Sequence, residues 1–110
     1  MKDDLLPVRH IIDAIAKISK YTEGKNFEDF IQDSQLYDAV LMELIIIGEQ
    51  SARASDKIKT KYPEVPWHKI TGMRNAISHD YFSIKPKIAW DTVTKELPKL
   101  KKQLTQIIDD

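Results

Sequence analysis

The densest group of chemically active side chains lies between residues 72 and 81. Within eight residues this segment carries a guanidinium, an amide, an imidazole, a carboxylate and a phenol, from Arg74, Asn75, His79, Asp80 and Tyr81. Such a set suits metal-free RNA cleavage. An imidazole can accept the ribose 2′-OH proton or protonate the leaving 5′-oxygen, since it titrates near neutral pH. A guanidinium can hold the phosphate and stabilise developing charge, and a phenol can position the phosphate or stack on a base.

Helix geometry divides these side chains between two faces. Asn75 and His79 are four residues apart and share one face. Ser78 lies four residues after Arg74 on another face, which Tyr81 joins if the helix continues. Arg74 and His79 are about 140° apart around an ideal helix, so they would not meet on a straight helix of one chain. Two copies packed across a two-fold axis could bring them together in a composite site.

The same residue types also have a purely structural interpretation. Cationic side chains near the C-terminus of a helix, such as Arg74 and His79, interact favourably with the helix dipole. Asp80 can pair with a nearby basic residue. From residue types alone, this structural interpretation is favoured over a catalytic one.

Charge is unevenly placed along a chain whose formal net charge is zero. Residues 1–52 carry 5 basic and 10 acidic side chains, a net of −5, and residues 53–110 carry 12 and 7, a net of +5. Nucleic acid, if bound, is expected to meet the C-terminal half. From charge alone, attraction between two antiparallel faces of a dimer is the favoured alternative.

The sequence contains no signal for export, membrane insertion or metal binding. The segment from Met1 to Asp4 has no apolar stretch behind it, and the longest apolar run, residues 39–48, is interrupted by Glu43 and too short to span a bilayer. The absence of cysteine excludes disulfides and fits a cytoplasmic protein. Three scattered histidines do not make a metal-ligand spacing, so neither a metal nor a cofactor is expected.

The hydrophobic pattern predicts one all-α domain, residues 1–110, built as an antiparallel bundle of four to five helices. The predicted helices run from about Asp3 to Tyr21, from Asn26 over a short segment, from Ser34 to about Lys61, from Trp67 to His79, and from Lys85 to about Ile108. The apolar centre of the third helix needs cover on more than one side, which another subunit could supply. Pro98 is expected to kink or split the last helix.

Several segments together carry a family resemblance. The spacing of Arg74, His79 and Tyr81 reproduces the Arg-x4-His-x-Tyr motif of HepT-like proteins in the HEPN superfamily. The family's other motifs are matched at Ile47-Gly48-Glu49, along residues 62–75, at Trp90-Asp91 and at Leu97-Pro98. The chain therefore resembles HepT-like HEPN proteins over nearly its entire length.

This resemblance implies a dimeric helical bundle that acts as a metal-independent ribonuclease. Arg74 and His79 would be the catalytic pair, with Asn75 supporting the site. HepT-like proteins are toxins of type VII toxin–antitoxin pairs. Their MntA-like antitoxin, a minimal nucleotidyltransferase, silences the toxin by transferring AMP to the motif tyrosine, here Tyr81. Added phosphate beside a phosphate-binding arginine would repel RNA.

Glu49 has two interpretations. It is four residues before Arg53 and could form an ordinary pair along the helix, or it could orient Arg74. The remaining candidates are interpreted structurally: His10 and His68 as surface residues, Trp67 and Trp90 as core, and Lys99, Lys101 and Lys102 as a solvated face that could touch RNA.

The sequence has two alternative interpretations besides a ribonuclease. The chain could be a non-catalytic helical subunit that binds and regulates a minimal nucleotidyltransferase. A helix-turn-helix DNA-binding protein is disfavoured, because no short helix pair with a basic recognition face is apparent.

Overall fold

The computed structural model describes residues 3–110, and every regular element in that range is helical. The elements are α1 (Leu6–Thr22), α2 (Phe27–Gln32), α3 (Ser34–Arg53), α4 (Asp56–Lys61), α5 (Trp67–His79), a 3-10 turn (Tyr81–Ser83), α6 (Pro86–Asp91), a π-helical segment (Thr92–Glu96) and α7 (Leu97–Asp109). The expected all-α bundle is confirmed. Met1 and Lys2, which entered the expectation about a signal peptide, lie outside the described residues.

Local sequence signals account for the first two helices. Pro7 lies in the first turn of α1, where its missing N–H does no harm, although the helix begins at Leu6 rather than at Asp3. Gly24 has φ of 72°, a left-handed conformation that costs glycine little. The side chain of Asn26 accepts a hydrogen bond from the Asp29 amide, and the Asp29 carboxylate accepts one from the Asn26 amide. This reciprocal cap starts α2.

The prediction of one continuous third helix was wrong. α3 ends at Arg53, and Ala54 adopts an extended conformation. The Ser55 hydroxyl then accepts a hydrogen bond from the Ile58 amide at 3.2 Å and starts α4. Ala54 and Ile58 are both buried, so the break turns the chain back onto the core.

The apolar centre of α3 is covered on two sides by helices of the same chain. α3 packs against α1 on one side and against α5 on another. The second cover is therefore α5 rather than another subunit. Met42 nevertheless remains 55% exposed, and Ile45 and Ile46 are half-buried, so apolar side chains are accessible on a third side.

The last helix is interrupted as expected near Pro98. Proline has no N–H to donate to the carbonyl four residues earlier, here that of Thr94. A π-helical segment, Thr92–Glu96, precedes it and separates α6 from α7. The threonine hydroxyls of this segment bond back into the helix, from Thr92 to the Ile88 carbonyl and from Thr94 to the Trp90 carbonyl.

α3 and α5 run antiparallel and approach closely at Gly48. The Ser51 hydroxyl donates to the Trp67 carbonyl at 3.0 Å near the start of α5, and Gly48 lies against Ile70 and Arg74 farther along it. A Cβ at position 48 would lie 2.9 Å from the Ile70 carbonyl oxygen and would overlap the Cβ of Arg74. The absence of a side chain at this position therefore sets the distance between the two helices.

Replacing Gly48 should force these helices apart. We expect Gly48→Ala to lower the free energy of unfolding by about 1–3 kcal/mol, as overpacking of a core does. Gly72→Ala is the matched control, because Gly72 is an exposed glycine of α5 with nothing within 4 Å of its added Cβ. That change should stabilise the helix by roughly 0.5–1 kcal/mol. Urea unfolding measures the free energy of unfolding of both variants. An equal increase in both would contradict the close approach of the two helices at Gly48.

Candidate functional site

The candidate side chains lie along α5 and in the 3-10 turn that follows it. α5 ends at His79, and Asp80 leaves the helical conformation with φ of −150° and ψ of 78°. The prediction of a helix from Trp67 to His79 is confirmed. Because the helix does not continue, Tyr81 does not share a helix face with Arg74 and Ser78.

Arg74 is held between two neighbouring polar side chains. Its Nη1 donates to Glu49 Oε2 on α3 at 3.0 Å, and its Nε donates to Asn75 Oδ1 at 2.8 Å. The Arg74 side chain is only 24% exposed, so this ion pair is better shielded from water than a fully exposed one. Two fixed donors orient the planar guanidinium and leave Nη2 without a partner among the described residues.

The structure distinguishes between the two interpretations of Glu49. Within residues 3–110 its carboxylate pairs with Arg74 of α5, and no ion pair joins it to Arg53 on its own helix. The interpretation as an ordinary pair along α3 was therefore wrong. Gly48 explains the outcome, because the close approach at that residue brings α5 to the neighbouring Glu49.

His79 lies on the accessible side of α5. It lines a shallow surface pocket with Asn75, Ala76 and Ser78, and all four residues are exposed. Arg74 does not line this pocket. Within one chain, α5 thus presents the imidazole toward solvent while the guanidinium is turned toward Glu49 on α3.

Tyr81 is tied back to the beginning of α3. Its hydroxyl donates to Asp38 Oδ1, and its ring meets that of Tyr37 edge-on with centroids 6.3 Å apart. The hydrogen bond to Asp38, followed by burial and the Asp38 charge, raises the pKa of Tyr81 to about 12. Burial and the same carboxylate raise the pKa of Tyr37.

Sequence reasoning missed Asp38. The two residues are 43 positions apart, and the contact exists because α3 and α5 run antiparallel. Pairing Gly48 with Arg74 in an antiparallel register would have placed the start of α3 beside the end of α5. The sequence alone does not give that register, so it offered no signal for Asp38.

His10, His68 and Trp67 occupy the positions expected of them, whereas Trp90, expected in the core, is only partly buried. His68 is exposed, and His10 is exposed with its Nδ1 3.2 Å from Gln50 Oε1. Trp67 is buried and donates from Nε1 to the Tyr62 carbonyl, and Trp90 packs on Phe30 with ring centroids 5.0 Å apart. Within residues 3–110 no three His, Asp or Glu side chains are grouped to hold a metal ion.

A cleft of the described chain that is lined mainly by apolar residues lies away from these polar residues. It has a volume of about 710 Å³, lies between α5 and the segments α6 to α7, and has Leu44 and Ile47 of α3 in its lining. An ion pair between Lys69 and Glu96, 3.6 Å long, joins the two sides. None of Arg74, Asn75, His79 or Tyr81 lines it, so its size does not mark it as the site of their chemistry.

No helix in the described part of the chain is both long and apolar enough to cross a membrane.

Comparison with known proteins gives the family. The pattern of the family described as "Ribonuclease HepT-like" matches residues 11–107, which includes every candidate site residue. The chain belongs to the HepT-like ribonuclease family. The resemblance noted in the motif around Arg74, His79 and Tyr81 is thereby confirmed.

Several curated relatives cover most of the HepT-like chain. A protein of Caldanaerobacter subterraneus subsp. tengcongensis named "Putative RNase" is 36% identical over 92% of this chain and 90% of its own length. The "Probable ribonuclease HepT" of Thermococcus cleftensis is 37% identical over 83% of each chain. A Methanocaldococcus jannaschii protein named "Gamma-glutamylcyclotransferase and putative RNase" is 32% identical over 99% of this chain, which spans 49% of that relative. No solved structure matches this one.

The bond between Tyr81 and Asp38 predicts an unusual titration. Because the folded-state pKa of Tyr81 is raised to about 12 from an ordinary value of 10.0, its neutral phenol stabilises the fold. That contribution is present below pH 10 and is lost as pH rises through the folded-state pKa. Asp38→Asn should lower the pKa toward its ordinary value.

Carbon NMR of the tyrosine Cζ atoms measures this titration residue by residue. Asp80→Asn is the matched control, since the Asp80 carboxylate accepts from Ser83 rather than from Tyr81. An unchanged Tyr81 titration in Asp38→Asn, or an equal shift in both variants, would contradict the assignment.

Proposed function

We propose that this HepT-like chain is a metal-independent endoribonuclease. The observation that carries the proposal is the fixed guanidinium of Arg74, which is held by Glu49 and Asn75. Arg74 lies on α5, the same helix that presents His79 in an open surface pocket. Membership of the HepT-like ribonuclease family and the RNase names of the relatives support the same function.

Each side chain has a role that its environment allows. The exposed His79 takes the proton of the ribose 2′-OH or gives a proton to the leaving 5′-oxygen. Arg74 stabilises the charge that develops on the phosphate, and its orientation by Glu49 means that little reorganisation is needed during the reaction. Asn75 supports Arg74 through the hydrogen bond from Nε.

The complete site requires two copies in this proposal. Arg74 and His79 do not line a common pocket within one chain. Met42, Ile45 and Ile46, which remain accessible on α3, precede Glu49 by three to seven residues and so form a stripe leading to the Arg74 site. Burial of this stripe against its symmetry mate gives a homodimer in which Arg74 of one chain serves with His79 of the other.

We further propose that the enzyme is the toxin of a toxin–antitoxin pair and is silenced at Tyr81. The antitoxin is a minimal nucleotidyltransferase of the MntA-like kind. The phenol oxygen attacks the α-phosphorus of ATP, pyrophosphate leaves, and the proton passes to Asp38, the present hydrogen-bond acceptor. The attached AMP places bulk and negative charge two residues from His79, where both exclude RNA.

Substitution of His79 tests the catalytic proposal. With a chelator present and Tyr81 confirmed as unmodified by mass spectrometry, His79→Ala should keep the fold and lose about 10²- to 10⁴-fold in the rate of RNA cleavage. His68→Ala is the matched control, because it removes an exposed histidine from the other end of α5.

Two outcomes would count against the proposal. Cleavage by folded His79→Ala at the rate of the unsubstituted protein would remove His79 from the mechanism. No cleavage by the unsubstituted protein would instead favour a non-catalytic subunit that regulates a nucleotidyltransferase.

A further inference from the structure

Phe82 is the most exposed large apolar side chain of the described residues. Its exposed fraction is 93%, against 61% for Ile88 and 55% for Met42. Exposure of a whole aromatic ring to water is unfavourable, and a folded chain usually buries such a ring at least in part. Phe82 follows the motif directly and lies three residues after His79.

The turn that carries Phe82 is held in place on both sides. The Tyr81 hydroxyl bonds to Asp38, and the Ser83 hydroxyl bonds to the Asp80 carboxylate. The rings of Tyr81 and Phe82 meet edge to face, with centroids 5.2 Å apart and planes at 88°. The backbone that carries Phe82 is therefore held in place, and the Phe82 ring is exposed to solvent beside Tyr81.

We propose that Phe82 is the stacking platform for one RNA base next to the scissile phosphate. This inference rests on the proposed ribonuclease function. Proteins that bind single-stranded RNA commonly stack unpaired bases on exposed aromatic rings. A base held on Phe82 would keep the adjoining ribose and phosphate close to His79.

The surroundings of Phe82 favour RNA over a protein partner. Its exposed neighbours Ser83 and Lys85 are polar or cationic, whereas the cores of protein interfaces are depleted of charge. Lys85 makes no ion pair within residues 3–110 and can meet a backbone phosphate beside the stacked base.

Substitution at position 82 separates stacking from simple apolar contact. Phe82→Ala should lower kcat/KM for a single-stranded RNA by about 5- to 150-fold, the range found when a stacking ring is removed. Phe82→Trp should retain the activity. Phe82→Leu, whose side chain is apolar but has no ring, should lose activity as Phe82→Ala does. Leu6→Ala is the control, because Leu6 is an exposed apolar residue of α1, which packs on α3 and α7.

An abasic substrate identifies the base that stacks. A series of oligonucleotides, each lacking one base near the cleavage point, is cleaved by the unsubstituted protein and by Phe82→Ala. At one position, removal of the base should lower the kcat/KM of the unsubstituted protein by the same factor as the Phe82→Ala change does. Removal of that base should lower the kcat/KM of Phe82→Ala little further. Binding of the same oligonucleotides to His79→Ala and to the His79→Ala, Phe82→Ala double variant, by fluorescence anisotropy, gives a readout that does not need cleavage.

Three results would overturn the inference. Equal kcat/KM for Phe82→Ala and the unsubstituted protein would remove the ring from substrate binding. Equal losses of kcat/KM at every abasic position in both proteins would show that no base stacks on the Phe82 ring. Dissociation of the dimer by Phe82→Ala in sedimentation would assign the ring to a protein contact. In all three, cleavage that still depends on His79 would leave the proposed function standing.

Discussion

The close packing of α3 on α5 at Gly48 is the constraint on which the site depends. A side chain at this position would overlap Arg74 and press on the Ile70 carbonyl. Its absence lets α5 approach until the carboxylate of the next residue, Glu49, bonds to the Arg74 guanidinium. The same antiparallel register carries the end of α5 to the start of α3, where Tyr81 bonds to Asp38. One small residue thus determines where two candidate functional side chains are fixed.

Because of this packing, the side chains of the motif point in different directions. Arg74 is turned toward α3 and partly shielded from water, while His79 stays on the open side of α5 with Asn75. The helix then ends, so Tyr81 and Phe82 lie on a separate turn. The proposed two-fold dimer resolves the separation, since a facing copy brings its own His79 to an already oriented guanidinium.

Structural features that depend on near neighbours in the sequence could be predicted. The cap at Asn26, the left-handed Gly24 and the interruption near Pro98 each follow from one residue's own chemistry. The break at Ala54 was missed, although serine at position 55 is favoured at a helix N-cap and disfavoured in a helix interior. The apolar periodicity that continues past this point outweighed that single signal. Asp38 was missed because its contact with Tyr81 depends on the register between two helices. Helix periodicity places Arg74 and His79 on different faces of α5. On that basis alone, the sequence predicts a composite site.

The central claim is that Arg74 and His79 act together across two chains, and mixing two inactive variants tests it most directly. We expect Arg74→Ala and His79→Ala each to be inactive alone, and the proposed dimers of the two variants to exchange subunits after mixing. In a mixed dimer, one of the two composite sites keeps both residues. Since about half of the dimers are mixed, about a quarter of the original activity should return. No return of activity, with exchange demonstrated by mass spectrometry, would contradict the account and place both residues in one chain's site.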